Sequence, residues 1–171
     1  MNTVLLANIL MLVGEGILFY ASSRKNKRDI LLSQIVCQLF MIAVCYLLKG
    51  YSSIVMSVLS IIRNILSIKN IGSRYISYIF IALAIIFGVM FNNNGLWGLI
   101  PIVANVTQSA FILRRSSTAR QIRLACAFTS FLWIIYNIEI KAYTGAVTNL
   151  INGASYLYHG IKDKPKEKTG N

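Results

Sequence analysis

The chain has 171 residues, of which 56% are hydrophobic, and a formal net charge of +12 at pH 7. In a soluble protein this charge would indicate nucleic-acid binding. Here the basic residues stand in short stretches beside long apolar runs, so membrane topology explains the charge and no nucleic-acid partner is expected. Because these runs leave no room for a soluble domain, the sequence predicts an all-α membrane protein.

Seven apolar runs are predicted to cross the membrane, since a bilayer core about 30 Å thick needs roughly 17–25 residues of helix. The runs are continuous rather than alternating, which predicts helices and excludes a β-barrel. The predicted spans are residues 4–21, 30–48, 51–68, 75–91, 96–113, 122–140 and 143–160.

The positions of the basic residues predict the orientation. Threaded through a bilayer seven times, the chain places fourteen of its 17 Lys and Arg residues on one side. Lys49 and Lys141 face the other side, and Arg63 lies inside the third span. The positive-inside rule then predicts a multi-pass protein of the inner membrane, with the N-terminus outside and the C-terminus in the cytoplasm.

An internal repeat is visible when the chain is shifted by 92 residues, because the first three spans then fall on the last three without a gap. The basic loop 23–29 overlays 115–121, and the turn 49–52 overlays 141–144. The fourth span is needed to give both copies the same orientation. The predicted organisation is a first three-helix repeat (1–72), a linker helix (73–92), a second three-helix repeat (93–161) and a basic cytoplasmic tail (162–171).

Short motifs resemble the YgjV-type family of bacterial inner-membrane proteins. They are the Arg63-Asn64 pair, the segment WIIYN at 133–137 and the Lys-x-Tyr turns at 49–51 and 141–143. That family is similar in plan to the MtN3-like group, which includes the SWEET and PnuC carriers. The resemblance implies a transporter of two parallel three-helix bundles. One departure is that Pro101 is the only intramembrane proline and no Pro-Gln dipeptide is present, so the SWEET rocking mechanism does not simply carry over.

Polar residues inside the spans mark either a solute cavity or interhelical hydrogen bonds. The third span has a polar face that matches a polar face of the seventh span under the repeat; the residues are Ser57, Ser60, Asn64 and Asn149, Asn152, Tyr156. Two matched faces favour a central cavity between the halves. The predicted substrate-binding residues are Asn64, Gln108, Trp133, Asn137, Asn149 and Asn152.

Glu15 and Arg63 are the most costly residues to place in a membrane. Their depths nearly match, which predicts an ion pair, because a partner offsets the cost of a charge in lipid. Snorkelling is the alternative for Arg63, and protonation is the alternative for Glu15, which would make it a proton-coupling residue.

The function predicted from these features is a carrier for a small neutral or weakly polar metabolite, such as a vitamin precursor, nucleoside or sugar-like solute. Transport would proceed by facilitated diffusion or ion coupling, because no ATPase motif is present. A non-transporting scaffold, an accessory subunit and a lipid-handling protein are the alternatives. No catalytic residues, cofactor or metal are expected. The expected partners are the solute and membrane lipid, and association into a homo-oligomer stays open.

Overall fold

The computed structural model describes residues 3–47, 51–71, 73–92, 95–114, 116–139 and 143–162. Within these ranges all regular secondary structure is helical, with seven α-helices and one 3-10 turn. The helices are α1 (Thr3–Ser22), α2 (Lys27–Leu47), α3 (Tyr51–Ile68), α4 (Arg74–Met90), α5 (Leu99–Ile112), α6 (Ala119–Glu139) and α7 (Tyr143–Lys162). The predicted helices are thereby confirmed. Most of the predicted basic tail, and the basic residues Lys49 and Lys141, lie outside the described ranges.

Local side-chain chemistry explains where several helices begin and end. Ser73 caps α4, since its hydroxyl accepts a hydrogen bond from the Ile76 amide at 3.2 Å. At the start of α6, Thr118 and Gln121 bond each other's backbone amides, which is a capping box. The chain leaves α3 through Asn70, whose φ of 54° lies in the left-handed region that often terminates helices.

The helices pack into a ring. In the order α1, α2, α3, α5, α6, α7, each helix contacts the next, and α7 closes the ring against α1. The fourth helix lies across α3 and α5, and α2 also contacts α6 across the ring. The buried apolar core of the described residues lies where α2, α5, α6 and α7 meet, and it consists of Ile30, Leu31, Ile112, Ile122, Cys126 and Tyr156.

Membrane-spanning character is clearest in four segments, which are long and apolar enough to cross a bilayer. They are Leu5–Ser22, Lys27–Leu47, Gly95–Ile112 and Ala119–Glu139. Two shorter apolar helices, Ser53–Ile68 and Arg74–Met90, accompany them. The fifth predicted span begins as a 3-10 turn, Gly95–Gly98, before it continues as α5.

Close packing of α7 on α6 depends on Gly153. A Cβ at this position would lie 3.0 Å from the Cβ of Ser130, which cannot swing aside. We expect Gly153→Leu to lower the free energy of unfolding by about 1–3 kcal/mol, because it overpacks this contact. Gly16→Leu is the matched control, since a Cβ at Gly16 meets no atom within 4 Å. Thermal denaturation of both variants in detergent tests this; equal melting temperatures would contradict it.

Candidate functional site

The distribution of polar side chains is the reverse of that in a water-soluble protein. Large apolar side chains are exposed on every long helix, for example Leu5, Val36, Val58, Ile79, Val103, Phe128 and Leu150. Polar and charged side chains are buried, among them Glu15, Gln34, Ser60, Arg63, Asn64, Asn105, Thr129 and Asn152. Apolar outer surfaces match lipid, whereas polar groups are tolerated only where they are hydrogen-bonded inside the bundle.

Arg63 is at the centre of the larger buried polar cluster. Its side chain is 1% exposed, and the acceptors that its guanidinium contacts among the described residues are uncharged. One terminal nitrogen donates to Gln108 Oε1 at 2.8 Å, and the other lies 3.5 Å from the Asn105 carbonyl and 3.4 Å from Ser109 Oγ. The Nε group donates to Asn64 Oδ1 at 3.3 Å. Arg63 on α3 is therefore held mainly by α5.

Neighbouring hydrogen bonds extend this cluster to α2 and α6. Asn64 donates to Gln34 Oε1 at 3.1 Å, and Gln34 Nε2 lies 3.1 Å from the Cys126 sulfur. On the other side, Gln108 Nε2 donates to the Thr129 hydroxyl at 2.9 Å. Four helices thus contribute to one network, which we call the Arg63 cluster: Gln34, Ser60, Arg63, Asn64, Asn105, Gln108, Ser109, Cys126 and Thr129.

A second buried polar contact joins α1 to α7. The amide of Asn152 donates to Glu15 Oε2 at 2.5 Å and approaches the Glu15 backbone carbonyl at 3.2 Å. Toward the C-terminal ends of α1 and α7, the hydroxyls of Ser22 and Ser155 are 2.5 Å apart. Glu15 is 6% exposed, so its carboxylate is enclosed in the bundle beside α7.

The expected Glu15–Arg63 ion pair does not occur among the described residues. Arg63 faces α5, whereas Glu15 faces α7, and each has its own uncharged partners. Glu15 and Arg63 have similar depths along the membrane normal, but depth does not determine which way a side chain points around its helix. Arg63 also does not snorkel to an interface, because it is fully enclosed.

The six predicted substrate-binding residues do not form one group. Arg63 joins Asn64 to Gln108, while Asn152 belongs to the Glu15 contact. Asn149 donates to the Gly145 carbonyl of its own helix at 2.9 Å. Asn137 lies beside Gly145, since a Cβ there would be 2.9 Å from Asn137 Nδ2.

Trp133, the remaining predicted residue, lines a small, partly open pocket that is separate from both polar contacts. Its ring makes an edge contact with Tyr136 at 5.6 Å between centroids. The other lining residues come from α3, α4, α5 and the loop around the 3-10 turn: Ser53, Met56, Gly88, Asn92, Gly98, Pro101 and Ile102.

Arg123, one of the fourteen basic residues that the sequence places on the cytoplasmic side, is buried in the structure. Arg123 is 1% exposed and donates to the backbone carbonyls of Arg24 and His159, while Arg120 Nε donates to the Gly160 carbonyl at 3.0 Å. These two arginines hold the end of α7, where helix carbonyls have no intrahelical partner. In the sequence, the spacing of Arg120 and Arg123, about one turn apart at the start of α6, indicates that both side chains lie on the same face of that helix.

Apolar helices with exposed apolar faces and buried polar clusters define a polytopic helical membrane protein. Residues 5–164 match the Imp-YgjV family, which is described as a bacterial inner membrane protein, and the chain belongs to this family. Searches of curated proteins and of solved structures each gave no significant match. The protein is therefore a multi-pass protein of the bacterial inner membrane.

Proposed function

We propose that this protein is a carrier that passes a small metabolite across the inner membrane, and that it catalyses no reaction. The proposed architecture is two three-helix halves, α1–α3 and α5–α7, related by an axis along the membrane normal and joined by α4. This is the plan of the MtN3-like carriers, in which substrate is held between the halves near mid-membrane.

The packing of the helices supports this architecture. In the proposed pairing, α1 corresponds to α5, α2 to α6 and α3 to α7. A twofold relation converts the α1–α7 contact into an α5–α3 contact, and both contacts are present. It also allows α2 to meet its own counterpart, and α2 contacts α6. The role proposed for α4, which packs beside α3 and α5, is to link the halves.

Burial supports the same pairing, residue by residue. Every buried position of α2 has a buried counterpart 92 residues later in α6. The pairs are Ile30/Ile122, Leu31/Arg123, Gln34/Cys126, Cys37/Thr129, Val44/Tyr136 and Cys45/Asn137. An apolar sequence alone does not determine which side of a helix faces the bundle and which side faces lipid. The agreement of the buried positions therefore supports the pairing of α2 with α6.

The observation that carries the proposal is the contact between Gln34 and Cys126. These two residues are 92 positions apart and lie 3.1 Å from each other. A residue can touch its own repeat counterpart only beside the axis that relates the repeats. The axis therefore passes through the Arg63 cluster, and both seams between the proposed halves contain buried polar groups, Arg63 at one and Glu15 at the other. Rearrangement of the halves would expose these groups to each side in turn.

Uptake into proteoliposomes tests the carrier proposal. Purified protein is reconstituted and assayed against a panel of radiolabelled vitamin precursors, nucleosides, sugars and small organic acids, with empty liposomes as the control. We expect at least one solute to equilibrate faster in the protein-containing vesicles. If none does, and a pull-down yields a stoichiometric protein partner instead, the scaffold alternative replaces the carrier.

We further propose that the N-terminus lies outside and the C-terminus in the cytoplasm. The end of α1, the start of α6 and the end of α7 meet at one end of the bundle, because Arg123 bonds Arg24 and His159. Aromatic rings lie under basic groups there, with Arg24 4.1 Å from the Tyr20 ring and Lys162 5.5 Å from the Tyr158 ring. Aromatic residues are typical of either membrane interface, and an excess of positive residues is typical of the cytoplasmic one.

Cysteine labelling in intact cells checks the orientation. Ser116→Cys, at an exposed position on the basic side, is expected to resist an impermeant maleimide until the cells are permeabilised. Leu96→Cys, which replaces a side chain that is 83% exposed at the opposite end, is expected to react in intact cells. The native cysteines at 37, 45 and 126 are buried and give a low background. The reverse labelling pattern would invert the topology.

A further inference from the structure

We propose that Arg63 is the binding residue for the carboxylate of a small monoanionic solute. This inference rests on the proposed carrier function, because the ligand is taken to be the transported solute. It changes the expected solute from a neutral to an anionic one. The site consists of the Arg63 guanidinium between α3 and α5, with the Gln108 side chain placed over it.

The charge of Arg63 favours the binding of an anion. Arg63 is enclosed, yet its hydrogen-bond acceptors are two side-chain amides, a backbone carbonyl and a hydroxyl. The acidic residues of the described ranges are elsewhere: Glu15 bonds Asn152, Asp29 bonds Asn26 at the start of α2, and Glu139 is exposed at the end of α6. A buried cation without a counter-charge is costly, and an anion that enters the site removes that cost.

The lengths of the hydrogen bonds that Arg63 donates also favour a ligand. Only the bond to Gln108, at 2.8 Å, is short; the contacts to Asn64, Ser109 and Asn105 are 3.3, 3.4 and 3.5 Å. A guanidinium carries five N–H groups, so these weak contacts leave its donor capacity underused. Two parallel bonds from the terminal nitrogens to one carboxylate are shorter and stronger, which is the preferred mode of arginine recognition.

Gln108 occupies the place that a carboxylate oxygen would take. Its Oε1 accepts from the terminal nitrogen, while its Nε2 donates to Thr129 on α6. The Gln108 side chain is half-buried, whereas Arg63 is enclosed, so displacement of this side chain is the direct way to reach the guanidinium. Because a single positive charge is present, a monocarboxylate balances it, whereas a dianion would leave one negative charge uncompensated.

Matched acid and amide pairs test the site on the full-length protein in detergent. Sodium benzoate is compared with benzamide, and sodium lactate with lactamide, at constant ionic strength, with inorganic phosphate as a third anion. Thermal stability is followed with concentration, because a ligand that binds the folded state raises the melting temperature. We expect each acid to stabilise more than its amide and more than phosphate.

Variants show whether Arg63 causes that preference. In Arg63→Gln the difference between acid and amide is expected to vanish. In Arg63→Lys the charge remains but the two-pronged geometry is lost, so the apparent Kd of the acid should rise roughly tenfold. Arg123→Lys is the matched control, because Arg123 is equally buried but bonds helix-end carbonyls, and it should leave the preference unchanged.

The outcomes separate this inference from the carrier proposal. Preference for acids that depends on Arg63 supports the site even if proteoliposomes show no uptake. Uptake of a neutral solute that Arg63→Gln leaves unaffected would sustain the carrier and overturn the anion site. Equal stabilisation by acid and amide, stronger stabilisation by phosphate than by either acid, or a preference that persists in both Arg63 variants, would also overturn it.

Discussion

Asn152→Leu is expected to destabilise the protein by about 3 kcal/mol, because it removes the side-chain donor to the enclosed Glu15 carboxylate. Asn149→Leu is the matched control on the same helix. Asn149 donates to the backbone carbonyl of Gly145, which is uncharged, so its loss leaves no charge stranded there and should cost about 1 kcal/mol or less. Thermal or denaturant unfolding in detergent measures both changes.

A compensating substitution at position 15 makes this prediction specific. Glu15→Gln alone should cost little, since a neutral amide can still accept from Asn152 and no longer carries a buried charge. Combined with Asn152→Leu, it should recover much of the lost stability. A double-mutant cycle with no coupling between the two positions would show that the Glu15–Asn152 contact does not hold α1 against α7.

A second double-mutant cycle, between Glu15 and Arg63, distinguishes the observed contacts from the ion pair expected from sequence. Within the described part of the chain, Glu15 and Arg63 share no hydrogen-bond partner, so Glu15→Gln and Arg63→Gln should have additive effects on stability, within about 0.5 kcal/mol. Strong coupling, with the double variant more stable than either single variant, would restore the ion pair.

A thiol crosslink between α2 and α6 is expected to have an all-or-none outcome. Gln34→Cys, in a chain with Cys37 and Cys45 changed to alanine, places a second thiol opposite native Cys126. Cysteine is shorter than glutamine, so the thiols need a bridge rather than a direct disulfide. A one-carbon bis-methanethiosulfonate reagent should join them.

The control for the crosslink is Leu39→Cys in the same background. Leu39 is on α2 but points outward, with 56% of its side chain exposed. Mass spectrometry after cleavage between the halves should find crosslinked fragments for position 34 and none for position 39. Crosslinking of both, or of position 39 alone, would contradict the facing of α2 and α6.

The helices could be predicted from the sequence because membrane-spanning length is a local property. The predicted span 51–68 coincides with α3, and the other boundaries differ by a few residues. The 3-10 turn at Gly95–Gly98 was missed, since apolar length does not distinguish it from the first turn of a helix. Hydropathy also could not show that α4 lies beside α3 and α5, because packing partners are not encoded in length.

The site was only partly predictable, for a geometric reason. Polar residues in a membrane helix indicate that partners exist, but their identity depends on how each helix is rotated. Asn64 and Gln108 were identified, although nothing in the sequence showed that Arg63 connects them. Asn105 and Ser109 were visible as polar residues of one span, yet only the packing of α5 on α3 makes them acceptors for Arg63.

The most direct test of the carrier is uptake by crosslinked protein. Proteoliposomes containing the Gln34→Cys protein are supplied externally with a solute that the wild-type protein takes up. The rate of uptake is compared before crosslinking, after crosslinking and after release of the crosslink with dithiothreitol. If the halves move about an axis between α2 and α6, crosslinking should stop uptake and dithiothreitol should restore it. Uptake that continues unchanged in fully crosslinked protein would contradict movement of the two halves.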